Sequence, residues 1–363
     1  MRLSLLLVCA LFGVSVFIFS NEHLVFGQSN STTYTVQPDE NFLTVVSNTE
    51  GKEQTISIPS DELLFNVSLH YDQNQNFKSM TMTPKPELQS FYNQVGFFGR
   101  PHDTVFIYPI FTQAAYDTNG FYDYYNKKCD SSCLTVNIPN RIHGGYSSSL
   151  TSAFVLTLLN YSYVTDIDVD KNPDILKQYK RVIVLHNEYV TQREFDAITS
   201  HPGVVYLYPN SLFAQVSTDY DQNTITLVRG HGYPDPQIRN GFGWKYDNSQ
   251  YEYDAHCYDW EFYHAGNGLM LNCYPEYEML FSKDMLSSLQ SSDPTDLLDD
   301  IAYWSNHTQE KASSAELLDD YGISGTRMPS WLSSPATWVL NGQVTKREFG
   351  DALVYLHANN IIE

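Results

Sequence analysis

A chain of 363 residues can bury one large core, or two modest ones with an appendage, and the pattern below fits the second division. Its 42 acidic against 21 basic residues give a formal charge of -21, which repels phosphate backbones and anionic headgroups and excludes nucleic acid as a partner. Aromatic residues make up 14% of the chain and include 27 Tyr, too many for a disordered protein and enough to supply phenols for hydrogen bonding and stacking.

Residues 1–27 read as a secretory leader. Arg2 precedes an apolar run over residues 3–19, and Val25, Phe26 and Gly27 before Gln28 resemble a signal-peptidase site. An uncleaved membrane anchor is the alternative, because the run approaches the ~18 residues that suffice for a span; no other segment could cross a bilayer. Export gives an extracellular or cell-surface location. Cys9 leaves with the leader, so Cys129, Cys133, Cys257 and Cys273 remain, an even number in an oxidising compartment. Two disulfides are expected. Pairing Cys129 with Cys133 and Cys257 with Cys273 is the local solution among three connectivities, and spacing does not choose between them. A four-cysteine zinc site is the weaker reading, since the spacing is not that of a zinc ribbon. Asn30, Asn66, Asn160 and Asn306 stand in glycosylation triplets.

Residues 29–98 alternate short β-rich segments with polar turns and form a small β-region without a catalytic constellation. From residue 99 the pattern changes. Residues 104–109 form a strand apolar on both faces. Residues 111–125, crowded with phenols and lacking either period, read as a loop. A helix over 153–159 and a segment over 163–169 follow, and Pro173 opens a short helix before the buried strand of residues 182–185. Thr191 and Glu194 then have capping-box spacing at the head of a helix whose apolar face is Phe195, Ala197 and Ile198. A further strand over 204–208 completes an alternation that specifies a parallel sheet covered by helices. His186, Asn187, Glu188 and Tyr189 therefore occupy a strand-to-helix turn at the carboxyl edge of that sheet, where open α/β folds bind ligands. The chain is β-rich again to residue 276, acidic and helical over 277–327, and ends in a tail of residues 328–363. The sequence of Val344 to Phe349 echoes that of Val190 to Phe195 as a second capping-box pattern, with Thr345 at its head.

Several pieces occur together in one order: Thr112-Gln113-Ala114-Ala115-Tyr116-Asp117 with the glycine and tyrosines after it, Leu185-His186-Asn187-Glu188-Tyr189, Tyr208-Pro209-Asn210, and Trp260-Glu261-Phe262 ahead of Gly266-Asn267-Gly268. Over residues 106–274 the chain thereby resembles the carboxyl-terminal domain of the N,N-dimethylformamidase large subunit, a class I glutamine-amidotransferase-like fold. The resemblance implies a flavodoxin-like parallel sheet with helices on both faces, carrying the small N-terminal β-region and a C-terminal helical tail. It implies a single iron held by Glu188, with Tyr116 as first phenolate and Tyr146 or Tyr124 as second. Glu261 and Asn210 become the acid/base and the amide beside it. The chain departs from the family in having an alanine within the tyrosine motif, in Asn187, and in the small size of its β-region. No cysteine stands near Glu188, so thiol chemistry is excluded there. Residues 328–363 resemble a helix-turn-helix tail module of exported proteins of ammonia-oxidising archaea, which implies attachment or packing.

A carboxylate and two phenolates are hard oxygen donors whose charges balance ferric iron. Such a centre polarises an amide carbonyl, Glu261 relays the proton, and His186 donates a hydrogen bond to the developing oxyanion. Each residue also has a plainer reading. Glu188 would complement a helix dipole for at most ~1 kcal/mol. Tyr116, Tyr124 and Tyr146 would be packing phenols, Glu261 the exposed face of an alternating strand, His186 a core histidine, and Asn210 a turn residue. Two functions follow. One is an exported metal-dependent hydrolase of amide or related carbon–nitrogen bonds in small molecules; the other is a non-catalytic exported protein that binds surface glycans or peptides. The two are separated by whether two phenol oxygens converge on the Glu188 carboxylate.

Overall fold

The computed structural model describes residues 35–38, 42–49, 52–71, 73, 77–139, 149–290, 296–321, 323–341, 343–344 and 346–362. The leader, Asn30, Tyr146 and Thr345 lie outside the described residues. The N-terminal β-region is a three-stranded antiparallel sheet of β1 (Thr35–Pro38), β2 (Phe42–Thr49) and β3 (Lys52–Pro59), followed by the hairpin β4 (Phe65–Tyr71) and β5 (Phe77–Pro84). Helix α1 (Gln89–Val95) leads into the α/β part.

That part runs β6 (Thr104–Tyr108), α2 (Ile110–Tyr116), α3 (Phe121–Tyr125), β7 (Thr135–Asn137), α4 (Leu150–Leu158), β8 (Ser162–Thr165), α5 (Asp166–Lys171), β9 (Arg181–Val184), β10 (Tyr189–Val190), α6 (Gln192–Ser200) and β11 (Val204–Tyr206). Strands β12 (Ala214–Asp219), β13 (Thr224–Arg229), β14 (Phe262–Ala265) and β15 (Gly268–Leu271) complete it. The central sheet has six strands in the order β14-β15-β11-β9-β6-β8. Every pairing in it is parallel except that of β14 with β15. A second sheet, β10-β12-β13-β7, is antiparallel except where β10 meets β12.

The pleat divides the core. Phe106, Ile183 and Val205 face one apolar cluster, while Val105, Ile107, Val182, Val184 and Val204 face another. Strands covered on both faces read as continuous apolar runs for this reason, and each fully buried valine or isoleucine contributes about 1.5–3 kcal/mol. The strands expected over residues 104–109, 182–185 and 204–208 are all present.

The expected loop over 111–125 is instead α2 and α3. Residues 110–115 are buried on every side, so no polar face marks the helical period. Helix α7 (Lys283–Ser288) follows the α/β part. Helices α8 (Asp296–Asn306), α9 (Lys311–Asp320), α10 (Ser333–Leu340) and α11 (Lys346–Ala358) share a third core around Trp304, Leu317, Leu318, Phe349 and Leu353. The acidic helices and the tail are thus packed on common apolar residues. No helix among the described residues is long and apolar enough to cross a membrane. Cys129 pairs with Cys133 and Cys257 with Cys273, the local connectivity, which is compatible with an oxidising compartment.

Candidate functional site

After β9 the chain does not pass directly into α6. Residues 185–188 turn away from the central sheet, and β10 joins the second sheet beside β12. The backbone N–H groups of Glu188 and Tyr189 donate to Thr112 Oγ1 of α2 at 3.0 and 3.2 Å. The Glu188 carbonyl accepts from Phe213 and Ala214 N–H at 3.0 and 2.9 Å. Glu188 is thereby fixed where the two sheets meet, and it is fully buried.

Four side chains surround its carboxylate. The Tyr122 hydroxyl lies 3.2 and 3.5 Å from Oε1 and Oε2, and 2.6 Å from the Tyr116 hydroxyl behind it. His231 Nε2 is 2.5 Å from Oε1. His186 Nε2 is 3.8 Å from Oε2, beyond hydrogen-bonding length. Burial alone would raise the Glu188 pKa, but the charge and hydrogen bond of His231, with His186 and Tyr116 behind them, reverse this and hold it below the usual value. The group is an ionised carboxylate inside the protein. Its charge has the opposite effect on the phenols: burial first, and then Glu188, push Tyr116, Tyr122 and Tyr189 well above the usual phenol range. Without a cation these hydroxyls keep their protons.

His231 arrives from the turn after β13. Its backbone is left-handed (φ 50) between Gly230 and Gly232, and a Cβ on Gly230 would come within 2.9 Å of Ala214. This close approach folds the turn back over β12. The imidazole ring packs against Phe213, Tyr125 and Tyr189, with centroids 4.6, 5.2 and 5.6 Å away, so aromatic rings wall the carboxylate.

A second acid belongs to the site. Burial, followed by repulsion from Glu188, pushes Glu252 up to about 7, with Asn210 acting in the opposite direction. Asn210 adopts φ 56 and is buried; its Oδ1 has no hydrogen-bond partner among the described residues.

The structure therefore brings Glu188, Tyr116 and His186 together, while buried Asn210 has its backbone N–H on Asn248 Oδ1 at 3.1 Å. Tyr124 packs instead on Tyr125 and Tyr233, and the phenol beside Tyr116 is Tyr122. Glu261 is exposed, with Asn272 Oδ1 2.8 Å from its backbone N–H and its charge beside Lys346. Sequence reasoning passed over Tyr122, His231 and Glu252. The tyrosine run after Gly120 contained the first, and nothing local marks the other two.

Cis ligands at about 2.0–2.2 Å from a common metal lie roughly 3 Å from each other. The 3.2 Å between Tyr122 Oη and Glu188 Oε1 fits that spacing, and the 2.6 Å between the phenols would open slightly. The donor set of one carboxylate and two phenols thus fits a hard cation. His231 does not fit as a ligand in this arrangement, because 2.5 Å is a direct hydrogen bond to the carboxylate. Among the described residues no three His, Cys, Asp or Glu side chains are arranged to hold a metal, so a cation here would depend on the phenols. No family model and no curated protein matches the chain.

Proposed function

We propose that the protein is an exported hydrolase of small-molecule amides or related carbon–nitrogen bonds, with the Glu188 pocket as its active site on a flavodoxin-like, glutamine-amidotransferase-like α/β domain. The observation that carries this reading is a fully buried carboxylate with the Tyr122 hydroxyl 3.2 Å from it and the Tyr116 hydroxyl 2.6 Å from that of Tyr122. Glu188, Tyr116 and Tyr122 would hold the metal, iron by the resemblance in the sequence, with Tyr146 a further candidate. When bound, that ion supplies Lewis acidity to a substrate carbonyl and acidity to a water.

The protein's own groups do the rest. His231 orients the Glu188 carboxylate through its short hydrogen bond. Glu252, with a pKa of about 7, accepts a proton from water and returns it to the leaving amine at neutral pH. Asn210 Oδ1, buried without a partner among the described residues, accepts the substrate N–H. His186 lines the inner wall against Tyr208 and Tyr274.

One contact favours a second reading. His231 already supplies Glu188 with a hydrogen bond, so the site could stand without a metal as the base of an aromatic pocket that binds a glycan or peptide. Metal analysis decides between the two. Purified wild type is expected to carry about one iron per chain with a visible phenolate-to-iron absorption band and to hydrolyse simple formamides. Both properties should be lost in Glu188→Gln, and the band should shift in Tyr122→Phe. Equal trace metal in wild type and Glu188→Gln, with no hydrolysis by either, would leave the binding reading.

A further inference from the structure

A second acidic cluster, which the proposed chemistry does not use, adjoins the Glu188 turn through Asn187. Asp166, at the start of α5, is fully buried, and its two oxygens serve two different elements. Oδ2 accepts the Phe111 N–H of α2 at 2.7 Å, and Oδ1 accepts Asn187 Nδ2 at 2.5 Å. Helix α2 carries Tyr116 and Thr112; Asn187 stands between His186 and Glu188. Glu194 of α6, also fully buried, packs against Asp166. One helical turn along α5, Asp170 accepts hydrogen bonds from Thr191, Thr218 and Tyr220 at 2.6, 3.2 and 2.6 Å.

We propose that Asp166 is a positioning residue of the Glu188 site: its carboxylate spans the helix that presents Tyr116 and the turn that presents Glu188, and so sets the distance between phenol and carboxylate. The inference rests on the Glu188 pocket being the functional site and not on which ligand occupies it. Stability alone is a poor reason for this arrangement. A buried carboxyl pair loses its hydration, and apolar side chains of similar volume commonly serve as well or better. A carboxylate offers two acceptors at a fixed angle, which an apolar group cannot. Burial raises both acids, Asp166 to about 7, and the charge of Asp166 raises Glu194 further. Both Asp166 oxygens accept from N–H donors, Phe111 and Asn187, so the ionised form fits Asp166 and a shared proton fits Glu194.

The hydrogen-bond directions allow a swap. In Asp166→Asn the new amide cannot accept from both Phe111 and Asn187. In the Asp166→Asn, Asn187→Asp double variant, Asn at 166 still accepts from Phe111 and its amide donates to the new carboxylate at 187. The first readout is metal-independent: the NMR signal of the His231 imidazole proton bonded to Glu188, assigned by its loss in His231→Gln. The second is the affinity for ferric iron added as a chelate, measured against urea stability in each variant. Both single variants are expected to lose or shift the proton signal and to weaken iron binding at least tenfold. The double variant should recover the signal and bring affinity within about threefold of wild type.

An unchanged signal in Asp166→Asn overturns the proposal. So does a double variant no better than either single one, or a loss of signal that only follows the loss of stability. If a single variant does not fold, the double variant against wild type decides. Should wild type bind no iron, the metal reading of the site fails, while the His231 proton still judges Asp166.

Discussion

His231 Nε2 and Glu188 Oε1 lie 2.5 Å apart although 43 residues of chain separate them. The contact joins the turn after β13 to the turn after β9, and it gives an ionised group inside the protein its nearest hydrogen-bond donor. Removing it should therefore matter more than removing a surface pair.

In His231→Ala the Glu188 carboxylate keeps its phenol neighbours and the more distant His186. Breaking a buried pair by deleting one member costs about 3–5 kcal/mol, and a His231 side chain 20% exposed brings the expectation to about 2–3 kcal/mol. Urea denaturation at pH 7 measures this. The pKa of Glu188 should rise in the same variant. Because its pKa is depressed by folding, the stability it contributes is present above the unfolded value of ~4.3 and is lost as pH falls through the folded value. That acid limb should shrink in the variant, and an unaltered limb would mean the pair is not ionic.

Thr112 is the anchor of the Glu188 turn from the side of α2. A valine of the same shape leaves two buried N–H groups without an acceptor, at about 1–3 kcal/mol each. Thr112→Val should lose about 2–4 kcal/mol and disturb the His231 proton signal. Thr112→Ser should retain most of both. Equal behaviour of the two variants would remove Thr112 from the account.

Glu276 gives a pH dependence of opposite sign to that of Glu188. It is buried, accepts from Tyr208 Oη at 2.5 Å and Thr151 N–H at 2.9 Å, and burial pushes it up to about 7. Its folded pKa exceeds the unfolded one, so its contribution is complete below ~4.3 and declines as pH rises through about 7. At 1.36 kcal/mol per unit this is about 3–4 kcal/mol. Asp166 slopes the same way. Stability measured from pH 5 to 8 should fall less steeply in Glu276→Gln than in wild type; parallel curves would contradict the assignment.

The disulfides should differ in weight. Cys257 and Cys273 close a loop of sequence separation 16, and Cys129 and Cys133 one of 4. Loop entropy predicts about 3 and about 2 kcal/mol respectively. Cys257 also follows Glu252 by five residues. Replacing Cys257 and Cys273 by serine should therefore lower kcat for the proposed hydrolysis as well as stability, while replacing Cys129 and Cys133 should change stability alone. Calorimetry and steady-state assays on the two double variants give the comparison.

Local chemistry determined much of this molecule. Strands β6, β9 and β11 could be placed because burial on both faces demands unbroken apolar runs. The start of α6 could be placed because Thr191 Oγ1 accepts the Glu194 N–H at 3.2 Å, as its spacing requires. Glu188 stood out because strand ends at the carboxyl edge are where open α/β sheets bind ligands. Only the tertiary structure decided what surrounds it. Helix α2 was hidden because a helix buried on all sides has no amphipathic period. Tyr122 rather than Tyr124 faces Glu188, a choice between neighbouring phenols that only packing makes. His231 and Glu252 were invisible because each arrives through a loop whose path depends on sheet pairing and a disulfide distant in sequence. The sheet follows from side-chain patterning within a few residues; a buried charge finds its partners only once non-local packing has excluded water.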